Sequence, residues 1–292
     1  MLRQRIDDIA AEAGARAVAV SFYDWETETA WSLRGGRWFH AASTMKLGVL
    51  VGLAQAVAAG RLDLDGWLHV RNRFASRLDG EPFRVQRDRD SDGAVHAEIG
   101  KLMRIRDLAE RMIVASSNLA TNLLLDLLGV PETRAVLAEL GLTGLELVRG
   151  VEDQRAHEAG IDNRATADGL LALLQLLHEP GPIAGEPARH MVEVLGRQEL
   201  TGGVQLALPE ALRGRARVAH KTGEISTVAH DAGLVFFPDR RPFALVLMSE
   251  WPPGSESHQA ALGRIGEAAL QELVAVPASA TLPAEAPQEA AP

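Results

Sequence analysis

The segment Ala42-Ser43-Thr44-Met45-Lys46-Leu47 opens an apolar helical stretch, and its spacing puts Ser43 and Lys46 on one helix face a turn apart. A serine hydroxyl is a weak nucleophile until a neighbouring base takes its proton. A lysine kept out of water and beside other cations releases its proton readily enough to be that base. The start of a helix also favours negative charge developing at the attacked group. Taken alone, the spacing suits an ordinary helix start with a solvated lysine equally well.

Two further segments offer matching polar groups. Ala115-Ser116-Ser117-Asn118 lies between two apolar helical stretches, where Ser116 could pass a proton and Asn118 could hold a carbonyl or orient Lys46. Ser and Asn are also common helix caps, which is the plainer reading of that turn. His220-Lys221-Thr222-Gly223 closes a strand-like run. A lysine and a hydroxyl there would project into a cleft, and the glycine would let a substrate backbone or carboxylate approach closely. Lysine usage singles out two of the three segments. Of 30 Lys and Arg residues only Lys46, Lys101 and Lys221 are lysines, and lysine, unlike arginine, can lose its proton when buried.

These groups need elements to hold them. Apolar periodicity predicts helices over 2–13, 44–59, 105–114, 118–128, 131–140, 166–177, 187–196 and 257–274. Alternation and β-rich composition predict a hairpin from 15–23 and 29–33, then strands over 217–222, 229–237 and 243–250. The polar stretch 62–100 and the segment 141–163 read as loops, the second long enough to be functional. Strands at both ends with helices between them imply an α/β chain of the α+β type. Its antiparallel sheet, from about 1–50 and 195–275, is flanked by helices, with an all-helical lobe over 51–194 inserted. The Ala/Pro/Glu-rich end, 276–292, reads as a disordered tail.

Composition removes several classes. Cysteine is absent, so there is no disulfide and no thiolate chemistry. A net charge of −9 argues against a nucleic-acid or anionic-membrane surface. No apolar run is long enough to span a bilayer. Met1–Gly14 carries acids in an amphipathic rhythm rather than a secretory leader, so the chain reads as cytoplasmic as written, or periplasmic or secreted if a leader was removed. There is no G-x-S-x-G elbow, P-loop, dinucleotide fingerprint or H-E-x-x-H. No cofactor or metal is expected. His220 and His230 read as structural, and the expected state is a monomer acting on a small molecule.

Taken in order, S-x-x-K at a helix start, S-x-N between helices and K-T-G on a strand resemble the motif set of β-lactamases and penicillin-binding proteins. The chain resembles class A β-lactamases over roughly 1–275. MIVASSNLATNLLLDLLG is similar to the segment around the family's S-D-N element, and NRATADGLLALLQLL to the helix after its Ω-shaped loop. The resemblance implies Ser43 as the acylated serine, Lys46 as base or proton relay and Ser116 as proton donor to the leaving nitrogen. It implies Asn118 as the amide contact, Lys221 and Thr222 as carboxylate site with Gly223 beside them in the substrate site, and the N–H groups of Ser43 and Glu224 as oxyanion hole.

Three departures stand out. Ser117 replaces the acid of S-D-N. His230–Gly233 shows no arginine for carboxylate binding. The loop RGVEDQRAHEAGIDN lacks a clean R-x-E-x-x-L-N, which makes Glu152 the candidate for directing the deacylating water and Glu158 the reserve. The expected function is a serine hydrolase opening a β-lactam amide through an acyl-enzyme. An esterase or peptidase of the same fold, or a catalytically idle penicillin-binding relative, are the alternatives.

Overall fold

The computed structural model describes residues 1–179, 181, 183, 185–254 and 258–274, so the tail expected beyond 276 lies outside the described residues. Its frame is a five-stranded antiparallel sheet of β1 (Ala17–Asp24), β2 (Thr29–Leu33), β3 (Arg217–Ile225), β4 (Val228–Phe236) and β5 (Phe243–Glu250). The strand order is β3-β4-β5-β1-β2. The two ends of the chain meet where β1 pairs with β5, from Ala17 opposite Glu250 to Asp24 opposite Phe243.

Side chains alternate across a strand, and both faces of this sheet are covered. Phe243, Leu245 and Leu247 join one apolar cluster with Leu2, Ile6 and Ile265, from α1 (Leu2–Glu12) and α8 (His258–Leu273). Ala244, Val246 and Met248 join the other cluster, with Leu170, Leu173 and Leu174 of α6 (Ala167–His178). Burial on two faces explains why the strands read as almost continuous apolar runs.

Much of the rest of the second cluster comes from α2 (Lys46–Ala58), α3 (Ile105–Val114), α4 (Asn118–Leu128), α5 (Val130–Glu139) and α7 (Glu186–Leu195). The expected antiparallel sheet with flanking helices is therefore present. Each fully buried Leu or Ile in these layers stabilises the fold by about 1.5–3 kcal/mol relative to exposure.

The departures from the sequence reading are local. Ser43 sits on a 3-10 turn, Ala42–Met45, and the α-helix proper begins at Lys46 instead of Thr44. Both the N–H and the hydroxyl of Thr44 donate to Ala41 O, at 3.1 and 2.6 Å, which tightens that turn. β3 continues to Ile225, beyond the expected end at Thr222. The 62–100 stretch contains short pieces, among them the helix Gly93–Ala97, and the 141–163 stretch contains Leu145–Glu146 and the helix Gln154–Glu158. Two short helices, Gly203–Ala207 and Glu210–Arg213, precede β3. All of these are too brief to show a period. No helix among the described residues is long and apolar enough to cross a membrane.

The 141–163 loop rests on α6 through bare backbone. A Cβ on Gly169 would lie 2.4 Å from Gly144 Cα and O, a contact that only movement of one backbone could relieve. Gly169→Ala is therefore expected to lower urea-unfolding stability by about 1–3 kcal/mol despite its better helix propensity. Gly36→Ala, where nothing lies within 4 Å, should stay within about 0.5 kcal/mol.

Candidate active site

Ser43, Lys46, Ser116, Asn118 and Lys221 converge between the edge of the sheet and the helical layer. β3 is an edge strand, and its free side faces the Ser43 turn. A Cβ on Gly223 would sit 3.1 Å from Ser43 N and 2.9 Å from Thr44 N, so only glycine lets strand and turn approach this closely. Ser43 lines two adjoining hollows, of about 480 and 310 Å³. Among the described residues its hydroxyl makes no hydrogen bond.

Both lysines are completely buried, and Ser116 stands between them. Lys46 Nζ and Lys221 Nζ each lie 3.1 Å from Ser116 Oγ. Lys46 Nζ also donates to Ser116 O at 2.5 Å and to Asn118 Oδ1 at 2.9 Å, while Lys221 Nζ donates to Thr222 O at 2.9 Å. Burial, then the neighbouring Lys221, push Lys46 well below the ordinary lysine range, against the opposing charges of Asp90 and Glu152. Burial brings Lys221 down to about 7, partly opposed by Asp231. Two amines poised to exchange protons flank one hydroxyl. This arrangement can pass a proton between Lys46 and Lys221 through the Ser116 hydroxyl.

The remaining candidates separate cleanly. Thr222 lines the smaller hollow and Glu224 both, and Gln259 Nε2 donates to Glu224 Oε2 at 3.1 Å. Glu152 lines the larger one with Ser43, Asn118 and Arg149. Burial raises its pKa, partly opposed by Arg89, whose Nε lies 3.0 Å from Glu152 Oε2. Glu158 is exposed, accepts from Gln154 Nε2 and lines neither hollow. The reserve candidate is therefore not brought to the site. Three of the non-glycine residues with left-handed backbone are Ala42 (φ 46°), Ser116 (58°) and Glu152 (63°). Such strain collects where a site is held in one geometry.

The loop carrying Glu152 is tied at its neck. Arg149 donates to Ile161 O and Asp162 Oδ1, each at 2.7 Å, and Asn163 Oδ1 accepts from Val148 N. Asn122 of α4 exchanges two 2.8 Å hydrogen bonds with the Val151 backbone, next to Glu152.

His40, His157 and Asp162 bring donor atoms within 4.8 Å of one another at the rim. The Asp162 oxygen already receives Arg149 and His157 Nδ1 at 2.8 Å, so this trio closes the loop. His230 is buried and lowered to about 4 by desolvation, with Nε2 donating to His40 O. It holds the turn before Ser43, as a structural histidine would.

Two contributors escaped the sequence reading. Arg89 borders both hollows. Asp90 is a buried carboxylate that accepts from Asn118 N and Leu119 N, each at 2.9 Å. Both come from the Arg/Asp-rich run QRDRDSD, whose alternating charges look like solvated loop. The only available signal was the acid absent at 117.

A model of the beta-lactamase enzyme family matches residues 1–273. The chain belongs to the beta-lactamase enzyme family. No curated protein matches it. Among solved structures, a β-lactamase from Sphaerobacter thermophilus DSM 20745 is 25% identical with TM-score 0.73, covering 92% of this chain and 96% of that one. A β-lactamase from Xanthomonas campestris pv. campestris str. ATCC 33913 is 22% identical with TM-score 0.77, covering 94% and 98%. PBP-A is likewise 22% identical with TM-score 0.77, covering 92% and 94%. Family and fold together make the chain a β-lactamase-type serine hydrolase.

For a member of the β-lactamase family, this site has a measurable thermodynamic consequence. Lys221 titrates at about 7 folded and near 10.4 unfolded. Between those values the unfolded chain binds a proton that the folded chain does not, so stability rises with pH across that window. Below about 7 both states are protonated and the full penalty of burying the charge applies. Lys46 acts in the same direction. Urea unfolding should give a free energy that increases from pH 7 to 10, with a smaller slope in Lys221→Met. A flat wild-type profile would contradict the lowered values.

Proposed function

We propose that the protein opens β-lactam or related amide bonds through an acyl-enzyme on Ser43. The observation that carries this reading is Ser43 lining both hollows, backed by two buried, proton-losing lysines that share Ser116 Oγ. Neutral Lys46 takes the Ser43 proton as Oγ attacks the carbonyl carbon. The oxyanion is met by the N–H groups of Ser43 and Glu224, where loss of one donor typically costs about 10²–10³ in rate. The lactam C–N bond then breaks, and Ser116 gives its proton to the departing nitrogen and is reprotonated from the flanking lysines. Asn118 contacts the substrate amide, and Lys221 and Thr222 bind its carboxylate, with Gly223 leaving room.

Deacylation belongs to Glu152. Its raised pKa suits a base that takes a proton from water as that water attacks the ester carbonyl; the bond to Ser43 Oγ then breaks, and Oγ regains a proton passed back from Glu152. Arg89 holds this carboxylate at 3.0 Å, so the base works while ion-paired. That pairing, together with a hollow on each side of Ser43, favours a second reading in which an ester or a peptide-like amide is the substrate. Kinetics on nitrocefin and p-nitrophenyl esters side by side separate the two.

Intact-protein mass spectrometry and labelling with a fluorescent penicillin test the first reading. The wild type should take one adduct and clear it, and Ser43→Ala should lose both label and turnover; a Ser43→Ala protein that still labels refutes it. Glu152→Gln should acylate normally and clear the adduct about 10²-fold or more slowly. Unchanged turnover in that variant would transfer the water-directing role to Lys46.

A further inference from the structure

Position 117, acidic in the S-D-N motif, is a serine here, yet a carboxylate occupies the space beside it. Asp90 comes from the segment after Gln86, and its side chain has no exposed surface. Its Oδ1 accepts from Asn118 N and Asp92 N, at 2.9 and 3.1 Å. Its Oδ2 accepts from Leu119 N at 2.9 Å and faces His96 Nε2 at 3.1 Å and Ser117 Oγ at 3.5 Å. We propose that Asp90 is the positioning residue of the acylation machinery, replacing from a separate segment the carboxylate that position 117 lacks.

The neighbours of Asp90 make the substitution coherent. Arg89 to Asp92 runs beside the turn between α3 and α4 and binds the turn or its flanking helices at every residue. Arg89 O accepts from Asn118 Nδ2 at 3.4 Å, and Ser91 Oγ donates to Ala115 O at 2.7 Å and Ser116 O at 3.0 Å. Asp92 takes a two-pronged bond from Arg111 of α3, at 2.8 and 2.6 Å. This segment fixes the backbone of Ser116 and Asn118, and two of the acceptors of Lys46 Nζ, Ser116 O and Asn118 Oδ1, are set by that backbone. Misplacing them by an ångström is enough to cost about 10²-fold in rate.

Asp90 also acts on Lys46 through charge. The groups facing that ammonium are Lys221 from β3, Glu152 with its partner Arg89, and Asp90 backed by His96. Lys221 pushes the Lys46 proton off, while Asp90 and Glu152 hold it. Asp90 therefore limits how far the lysine is depressed.

The effect on rate rests on the reading of Ser43 and Lys46 as the acylating pair; the effect on Lys46 does not. Because the chain has only three lysines, protein labelled with ¹³Cε-lysine allows Lys46 to be titrated by NMR without any substrate. The variants are Asp90→Asn, the relocation Asp90→Asn/Ser117→Asp, and Asp90→Glu, with circular dichroism to establish folding.

In Asp90→Asn the Lys46 midpoint should move to lower pH by about one unit, and acylation by the fluorescent penicillin should slow about 10²-fold. The relocation should recover both. Asp90→Glu keeps the charge and shifts the carboxylate, so it should keep the midpoint and lose rate; it also decides the matter if Asp90→Asn does not fold. A folded Asp90→Asn with an unmoved midpoint overturns the proposal, as does a relocation variant that regains neither property, or an Asp90→Glu that acylates at the wild-type rate. If wild-type protein takes no label, the titration still decides the role of Asp90, and only the proposed function fails.

Discussion

The arrangement of this molecule turns on keeping two amines out of water within reach of one hydroxyl. Lys46 and Lys221 lie on opposite sides of Ser116 Oγ, each 3.1 Å away, and neither has exposed surface. Two adjacent buried ammonium groups would be strongly unfavourable, and the protein meets this by letting both release protons more readily than an exposed lysine does, Lys221 at about 7. Carbonyl and amide oxygens of Ser116, Asn118 and Thr222 satisfy the N–H groups that remain. A surface with these residues would hold ordinary charged lysines. Burial is what lowers their hold on the proton.

Burial of that kind demands a rigid frame, and the fold supplies it from both sides. Lys221 is on an edge strand whose neighbours are locked by paired registers through β4 and β5. Lys46 begins a helix that is buried along most of its length. Gly223 lets these two units touch. The left-handed residues at Ala42, Ser116 and Glu152 each cost about 1–3 kcal/mol. They persist because the surrounding hydrogen bonds over-determine the turns that hold them. Strain at the site is thus maintained by packing elsewhere.

Legibility in the sequence followed the length scale of each interaction. The helices Ile105–Val114 and Asn118–Leu128 were readable to the residue because ten or more positions repeat one pattern. Ser43, Lys46, Ser116, Asn118 and Lys221 could be singled out because three short motifs stand in a family's order and lysines are scarce, and the fold brings Lys46, Ser116, Asn118 and Lys221 into contact. The 3-10 turn under Ser43 was not, since four residues carry no period. Nor was the choice between Glu152 and Glu158, which depends on where a loop is anchored by Asn122 and Arg149 from outside it. Asp90 was hidden for the same reason. Its partners at Asn118 and Leu119 lie more than twenty-five residues away, and only the folded chain shows that its carboxylate is buried.

That placement bears on how freely such a site can vary. A carboxylate within the 116–118 turn would steady the backbone from inside. Asp90 reaches the same N–H groups from a neighbouring segment, itself pinned to α3 by Asp92 and Arg111. What the turn requires is a buried acceptor for two amide donors and, in the proposed role, a negative charge near Lys46. Neither requirement specifies where in the chain the acid must be. Ser117 then serves as the cap of α4, accepting from Ala120 N at 3.2 Å. Dividing the two tasks between Asp90 and Ser117 lets one residue accept from Asn118 N and Leu119 N and the other from Ala120 N, so this turn is held without an acid at position 117.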